Sequence, residues 1–437
     1  MLIDRRRAAL GLAAAAAASG AGPARAEAPL NAEQDHRRML DLLGIDRLRP
    51  GADGWNREAP NAANYDEAKA GLIAPLPELL RMQDGRPVDA ALWPERRAEL
   101  VELFEREVYG RAPTGPVEIL ALATDFSMPQ PEGLDAVTFR LTIRFAPEGA
   151  GGPTTIEAEV SLPRDASGPI PAVVALAFPR ALTDRFPPEP GPSWKQQVVD
   201  RGWAAVEYFP TSVQADDGGG LQQGIIGAAN GGRPRGVDDW GALRAWAWGA
   251  AQVRDHLAAI NLIDGDRTAI FGLSRYGKAA LVAMAFDQRW KAGFIASSGA
   301  AGAKLMRRDY GERVENVASS GEYHWMGGRY LNYAGPLTTA DLPVDAHQLI
   351  ALCAPRPVFI SCGTFEADNW TDPRGMFQAA VTAGPAYSLL GARPLESEAY
   401  PAPLTLVNGD IAFRQHEGGH TGGPNWPHFL DWAADRL

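Results

Sequence analysis

The sequence has 437 residues, 46% of them hydrophobic and 22% charged, with a net charge of −11. That apolar and aromatic content excludes a disordered chain. An acidic balance without any Lys/Arg-rich run excludes a nucleic-acid binder, which would carry a basic face.

The first element is a leader, residues 1–26. Asp4-Arg5-Arg6-Arg7 precedes the apolar run Ala8 to Ala18, and Ala24-Arg25-Ala26 supplies small residues around a cleavage site. Together these make a secretory signal peptide, and the paired arginines fit the twin-arginine route. The run is too short to span a bilayer of roughly 30 Å. An exported protein, periplasmic or secreted, with no membrane span is expected. Loss of four Arg and one Asp with the leader takes the charge to −14.

Residues 27–93 mix Pro, Asn and charged residues with short helical patterns, and read as an arm or cap without chemistry of its own. Residues 94–437 read as one large unit. Val117–Thr124, Val137–Phe145 and Thr155–Leu162 alternate and are flanked by Gly and Pro, as antiparallel strands are. Ile170–Phe178 and Ala204–Phe209 are continuous apolar runs, the pattern of strands buried on both faces. Asp238–Ile260 follows as a long helix on the spacing of Trp240, Leu243, Trp246, Ala250 and Val253, with Asp238 or Asp239 as its cap. Arg267–Gly272 is a strand and Tyr276–Phe286 a helix. Phe294–Ala296, Val358–Ser361 and Leu404–Val407 are later strands, and Pro427–Leu437 is a closing helix. Strands alternating with helices give an α/β fold with a mainly parallel sheet. Cys353 and Cys362 are too few for a disulfide framework and read as buried free thiols near the ends of one strand.

Chemistry concentrates at Gly272-Leu273-Ser274-Arg275-Tyr276-Gly277-Lys278, where an apolar strand runs straight into a helix of small residues. Such a turn exposes the serine hydroxyl and aims the helix N-terminus at it, although the second Gly stands one residue later than in G-x-S-x-G. The competing reading makes Ser274 an ordinary helix cap. Arg275 and Lys278 add two cations beside that hydroxyl, suited to an anionic substrate or a developing oxyanion, or simply form a solvated basic pair. His420 lies in Glu417-Gly-Gly-His420-Thr-Gly-Gly423, between the last strand region and the last helix, where a serine hydrolase of this chain order keeps its base. His416-Glu417-Gly418-Gly419-His420 also spells H-E-x-x-H. The zinc reading of that string needs a helix, which so many glycines oppose.

These residues resemble a family. Gly272-Leu-Ser-Arg-Tyr-Gly-Lys278 is similar to the G-[CHL]-S-R-x-G-K motif of glucuronoyl esterases, secreted α/β-hydrolases acting on lignocellulose. Three further segments resemble the same family: Asp239–Gly249, Leu342–Leu352 with Ala354-Pro-Arg-Pro357, and Asp368-Asn-Trp-Thr-Asp-Pro-Arg-Gly375. The resemblance runs from about Pro94 to the C-terminus. It implies a three-layer α/β-hydrolase sandwich that hydrolyses the ester between (4-O-methyl-)glucuronic acid of xylan and lignin alcohols. By the same resemblance Ser274 is the nucleophile, His420 the base, and Arg275 the oxyanion partner. Lys278 meets sugar hydroxyls, Trp370 packs on the ring, and Glu312 resembles the sugar-binding carboxylate of bacterial members. Glu322, in Gly321-Glu-Tyr-His-Trp325, resembles its fungal counterpart. Each Glu could instead be a surface charge, and Trp370 a core aromatic. One departure stands out: where many members carry the triad acid as Glu, this chain has Ser297. Other members take the acid from the loop after the strand Val358–Cys362. That loop offers Asp368 first, with Glu366 and Asp372 as alternatives, Asp372 reading more as a helix cap before Pro373. No metal or organic cofactor is implied, and a monomer is expected. The rival readings are an acetyl xylan esterase on the same fold, and a silent polysaccharide-binding relative using Trp370, Trp325 and the carboxylates.

Overall fold

Side chains alternate across a strand, so each strand of a covered sheet must satisfy two cores at once. The computed structural model describes residues 28–113, 119–149, 152–185 and 190–437; the leader of residues 1–26 falls outside them. Among the described residues the strands are β1 (Ile119–Asp125), β2 (Ala136–Gly149), β3 (Gly152–Pro163), β4 (Ile170–Leu176), β5 (Ala204–Phe209), β6 (Ile263–Leu273), β7 (Ala292–Ala296), β8 (Val358–Gly363), β9 (Leu406–Val407) and β10 (Ile411–His416). They form one sheet in the order β1-β2-β3-β5-β4-β6-β7-β8-β10-β9. The run from β5 to β10 is parallel, whereas β1, β2, β3 and β9 pair antiparallel.

One face of this sheet presents Val173, Ala175, Phe271, Phe294, Phe359 and Ala412 to the helices Trp194–Asp200 and Trp426–Ala433. The other presents Val174, Ile270, Ile295, Ile360 and Phe413 to Ala242–Leu257, Arg275–Phe286, Ala346–Ala351 and Pro373–Leu389. Both faces are covered, which is why the central strands read as unbroken apolar runs. The architecture is the three-layer sandwich expected.

Several local expectations need correction. The long helix starts at Ala242 and ends at Leu257, and its N-cap is Gly241 with no side-chain cap bond. Asp238 instead pairs with Arg329, and Asp239 accepts the Gly236 N–H at 2.6 Å. The closing helix runs Trp426–Ala433. Leu404–Val407 is not an inner strand: only Leu406–Val407 pair, antiparallel at the sheet edge. The inner strand is β10, whose polar residues disguise it. Arg414, Gln415 and His416 are all buried, and bond Asn425, Tyr400 at 2.8 Å and the Gly419 carbonyl at 2.9 Å respectively. Cys362 lies inside β8, while Cys353 lies in the turn before it; both are free and buried.

The arm is stitched to the unit rather than draped over it. Its helix Ala32–Leu43 is capped by Asn31 and Gln34. Farther on, Glu67 takes the buried Arg308 guanidinium through both carboxylate oxygens at 2.6 Å.

Candidate active site

In a parallel sheet the carboxyl ends of the strands, where loops leave for the covering helices, are the place for chemistry. Ser274 follows Leu273, the last residue of β6, and the helix Arg275–Phe286 starts on the next residue. The turn is tight enough to dictate its glycines. A Cβ on Gly272 would lie 2.0 Å from the Tyr276 carbonyl oxygen, and one on Gly277 would lie 2.7 Å from that of Ala296. Ser274 itself adopts φ 60°, ψ −129°, a strained position for a residue with a side chain, fixed by its N–H on the Ala296 carbonyl at 2.9 Å. It occupies the N-cap position but makes no side-chain capping bond, so the cap reading fails. Its hydroxyl is left for other work beside the unsatisfied first-turn N–H groups of the helix.

The loop after β8 carries Asp368, and the loop after β10 carries His420. Asp368 Oδ1 lies 2.9 Å from His420 Nδ1. The other carboxylate oxygen accepts the Ser297 hydroxyl at 2.5 Å and the Gly363 N–H at 3.0 Å. Burial raises the Asp368 pKa, but the His420 bond and charge, the Ser297 hydroxyl and the Gly363 N–H outweigh it and hold the carboxyl below its usual range. Ser297 therefore supports the carboxylate that reaches His420. Of the alternatives, Glu366 points to solvent, and Asp372 caps the helix Pro373–Leu389 by accepting the Gly375 N–H at 2.9 Å. The H-E-x-x-H string spans the end of β10 and a turn, not a helix; His416 Nε2–H donates to the Gly419 carbonyl and Nδ1 accepts the Asn425 amide N–H, each at 2.9 Å.

This constellation has counterparts in known proteins. The family model described as "Glucuronyl esterase, fungi" matches residues 148–391. A carbohydrate esterase from an unknown prokaryotic organism is 30% identical over 413 residues, covering 86% of this chain and 93% of its own length. A solved glucuronoyl esterase from Teredinibacter turnerae superimposes with a TM-score of 0.84 at 44% identity, covering 92% of this chain and 99% of that one. A glucuronoyl esterase from Solibacter usitatus gives 0.74 at 28% identity, over 85% and 100% of the two chains. This chain belongs to the glucuronoyl esterase family.

In this glucuronoyl esterase family member neither cation beside Ser274 is a solvated charge. Lys278 is buried, its Nζ 2.9 Å from Glu312 Oε2 and 2.7 Å from the Ala300 carbonyl. Glu312 Oε2 also accepts the Ala300 N–H at 2.7 Å, and the Glu312 N–H reaches the Trp370 carbonyl at 2.9 Å. So Lys278, Glu312 and Trp370 are tied into one unit. Trp370 is half-buried, and its ring lies on Gly54 of the arm, where a Cβ would come within 2.7 Å of Cζ3. Glu322 sits among Glu312, Lys278, Arg275 and Asp216. Burial first, then Glu312, push its pKa up to about 7 against the pull of Lys278 and Arg275. Its Oε2 is buried without a protein partner, a group still owed a hydrogen bond.

Arg275 reveals a residue that sequence reasoning missed. Its guanidinium bonds Asp216 and lies near the rings of Phe178 and Trp325, 5.5 and 5.6 Å from their centroids. Asp216 follows β5 and also binds His324 Nε2 at 2.9 Å and the Trp325 Nε1–H at 2.7 Å. Burial opposes its ionisation, yet the His324, Arg275 and Trp325 interactions bring its pKa down to about 2. Nothing in Gln214-Ala-Asp216-Asp217-Gly218 separated this carboxylate from an exposed acidic turn.

Proposed function

We propose that the protein is an exported serine esterase cleaving the ester between (4-O-methyl-)glucuronic acid of xylan and lignin alcohols, through a glucuronoyl-enzyme. The observation that carries this is the contact of Asp368 with His420 at the strand ends that also present Ser274. A carboxylate only accepts, so His420 Nδ1 carries the proton and Nε2 is left basic. His420 takes the Ser274 proton as the hydroxyl oxygen attacks C6 of the uronate. The tetrahedral oxyanion is met by Arg275 and the N–H beside the serine. His420 then returns the proton to the leaving alcohol. Water, deprotonated by His420, attacks the acyl carbon; the Ser274–acyl bond breaks, His420 returns the proton to the serine oxygen, and free uronate leaves.

The uronate ring takes its place against Trp370, its hydroxyls directed to Lys278, Glu312 and Glu322. Pairing of both cations with carboxylates keeps the pocket close to neutral, which suits an uncharged ester better than its anionic product. The leader in residues 1–26 supports a periplasmic or secreted site of action. We assign catalysis to residues 94–437 and cover of the sugar side to residues 27–93.

The test compares hydrolysis of benzyl glucuronate with that of an acetylated sugar by mature wild type and Ser274→Ala. Uronate turnover that Ser274→Ala abolishes is expected. Preference for the acetyl ester would overturn the substrate, and sugar binding unaccompanied by Ser274-dependent turnover would overturn the activity.

A further inference from the structure

Trp55 is 97% exposed, whereas every other tryptophan of the chain is buried or half-buried. An indole left in water forfeits the largest apolar contribution a side chain can make, and Trp is favoured where an apolar face must meet a partner that is partly polar. Isolated exposed apolar residues are ordinary on surfaces, so exposure alone decides nothing. Placement does.

The turn that carries Trp55 is fixed. Asp53 Oδ1 accepts the N–H groups of Trp55 and Asn56, both at 2.9 Å. The Asp53 backbone bonds Asn61 and Ala63 on either side, each at 2.8 Å. Arg57 lies over the Tyr65 ring at 4.0 Å, closing the same loop. Gly54, the neighbour of Trp55, rests on the ring of Trp370. Trp370 in turn holds Glu312 through its carbonyl, and Glu312 holds Lys278. The backbone turn that presents the indole is thus held beside Trp370, on the part of the site to which the uronate ring is assigned.

We propose that Trp55 is a stacking platform for a neutral pyranose, a xylose unit of the chain that bears the esterified uronate. The proposal rests on the uronate reading of Trp370 and Glu312. A xylose ring offers a C–H face and no charge, so a protein with a net charge of −11 does not repel it as it would an acidic unit. The hydrogen-bonded turn already holds the backbone that presents the indole, so binding has only the side chain left to order.

The experiment uses the mature protein, Trp55→Ala and Trp55→Phe with three esters. These are benzyl glucuronate, the same benzyl ester on a glucuronate borne by xylotetraose, and a glucuronate ester of a bulky arylpropyl alcohol. Trp55→Ala is expected to leave the first and third unchanged. It should raise KM for the second roughly threefold to tenfold, the size of one lost stacking contact, with Trp55→Phe restoring most of the loss. An unchanged KM for the second, an equal loss on benzyl glucuronate, or a loss confined to the aryl ester would each overturn the proposal. A second readout is independent of turnover. Titration of Ser274→Ala protein with neutral xylohexaose should change tryptophan fluorescence, and the change should vanish when Trp55→Ala is added. Absence of wild-type activity on all three esters would count against the uronate reading, and this titration would still decide Trp55.

Discussion

Asp216 shows what a half-buried carboxylate can do by holding its neighbours in place. Three donors, from Arg275, His324 and Trp325, keep it charged, and its charge in turn fixes the guanidinium nearest Ser274. The oxyanion exists only along the reaction path, so loosening Arg275 should act on kcat rather than on ground-state binding. For Asp216→Asn we expect kcat on a uronate ester to fall by about two decades with KM little changed, as steady-state kinetics would show. A loss expressed in KM alone would mean that Arg275 serves substrate binding. At this scale the sequence was informative where a backbone constraint left a signature. Ser274 could be read from the glycines its turn demands, and His420 from a glycine-rich loop before the last helix. Asp368 was less legible: Glu366, Asp368 and Asp372 share one loop, and although Pro373 marked Asp372 as a helix cap, the contact of Asp368 with His420 is visible only in the fold. Asp216 left no signature, because its burial comes from partners more than a hundred residues away in Gly321–Trp325.

Among the elements, the β6 turn is the most constrained. At Gly272 a side chain has no direction to go, since the nearest atoms are backbone of Tyr276 and Gly277. Overpacking a rigid site typically costs about 1–3 kcal/mol, and for Gly272→Ala we expect the upper end of that range by denaturant unfolding, with activity lost along with the turn. An unchanged unfolding midpoint would show that the turn relaxes freely. The central strands were legible because apolar runs buried on both faces resemble nothing else in the chain. β10 was not, since Arg414, Gln415 and His416 break its apolar run, and only the fold shows them bonded to Asn425, Tyr400 and Gly419. Sequence periodicity reports which residues are apolar, and a polar strand satisfied by distant partners is silent to it.

On the scale of the whole molecule, the site should mark the pH dependence of stability with two opposite signs. Glu322 has a folded pKa of about 7, above the ordinary carboxyl value of 4.5. The native state therefore holds a proton that the unfolded chain has released, and stability falls as pH rises from about 4.5 to about 7. Asp368 does the reverse: its folded pKa is lowered, so its contribution is present above the ordinary carboxylate range and is lost on acidification. In Glu322→Gln the first effect disappears. Relative to that variant, wild type should lose stability across pH 4.5 to 7 in urea unfolding and then run parallel to it. A constant difference over the whole range would contradict the account. The arm belongs to this scale as well. Residues 27–93 carry short helical patterns but no chemical motif, and their place is set by long-range contacts such as Glu67 with Arg308 and Gly54 with Trp370. That is why they read as an undistinguished cap in sequence.

The central claim is that the orienting acid stands at Asp368, supported by Ser297. It is tested most directly by kcat/KM for benzyl glucuronate in wild type, Asp368→Asn and Glu366→Gln. Loss of the orienting acid costs a serine hydrolase up to about four decades. A fall of that order is expected for Asp368→Asn, with near wild-type turnover for Glu366→Gln; the reverse pattern, or full activity in Asp368→Asn, would place the orienting acid elsewhere.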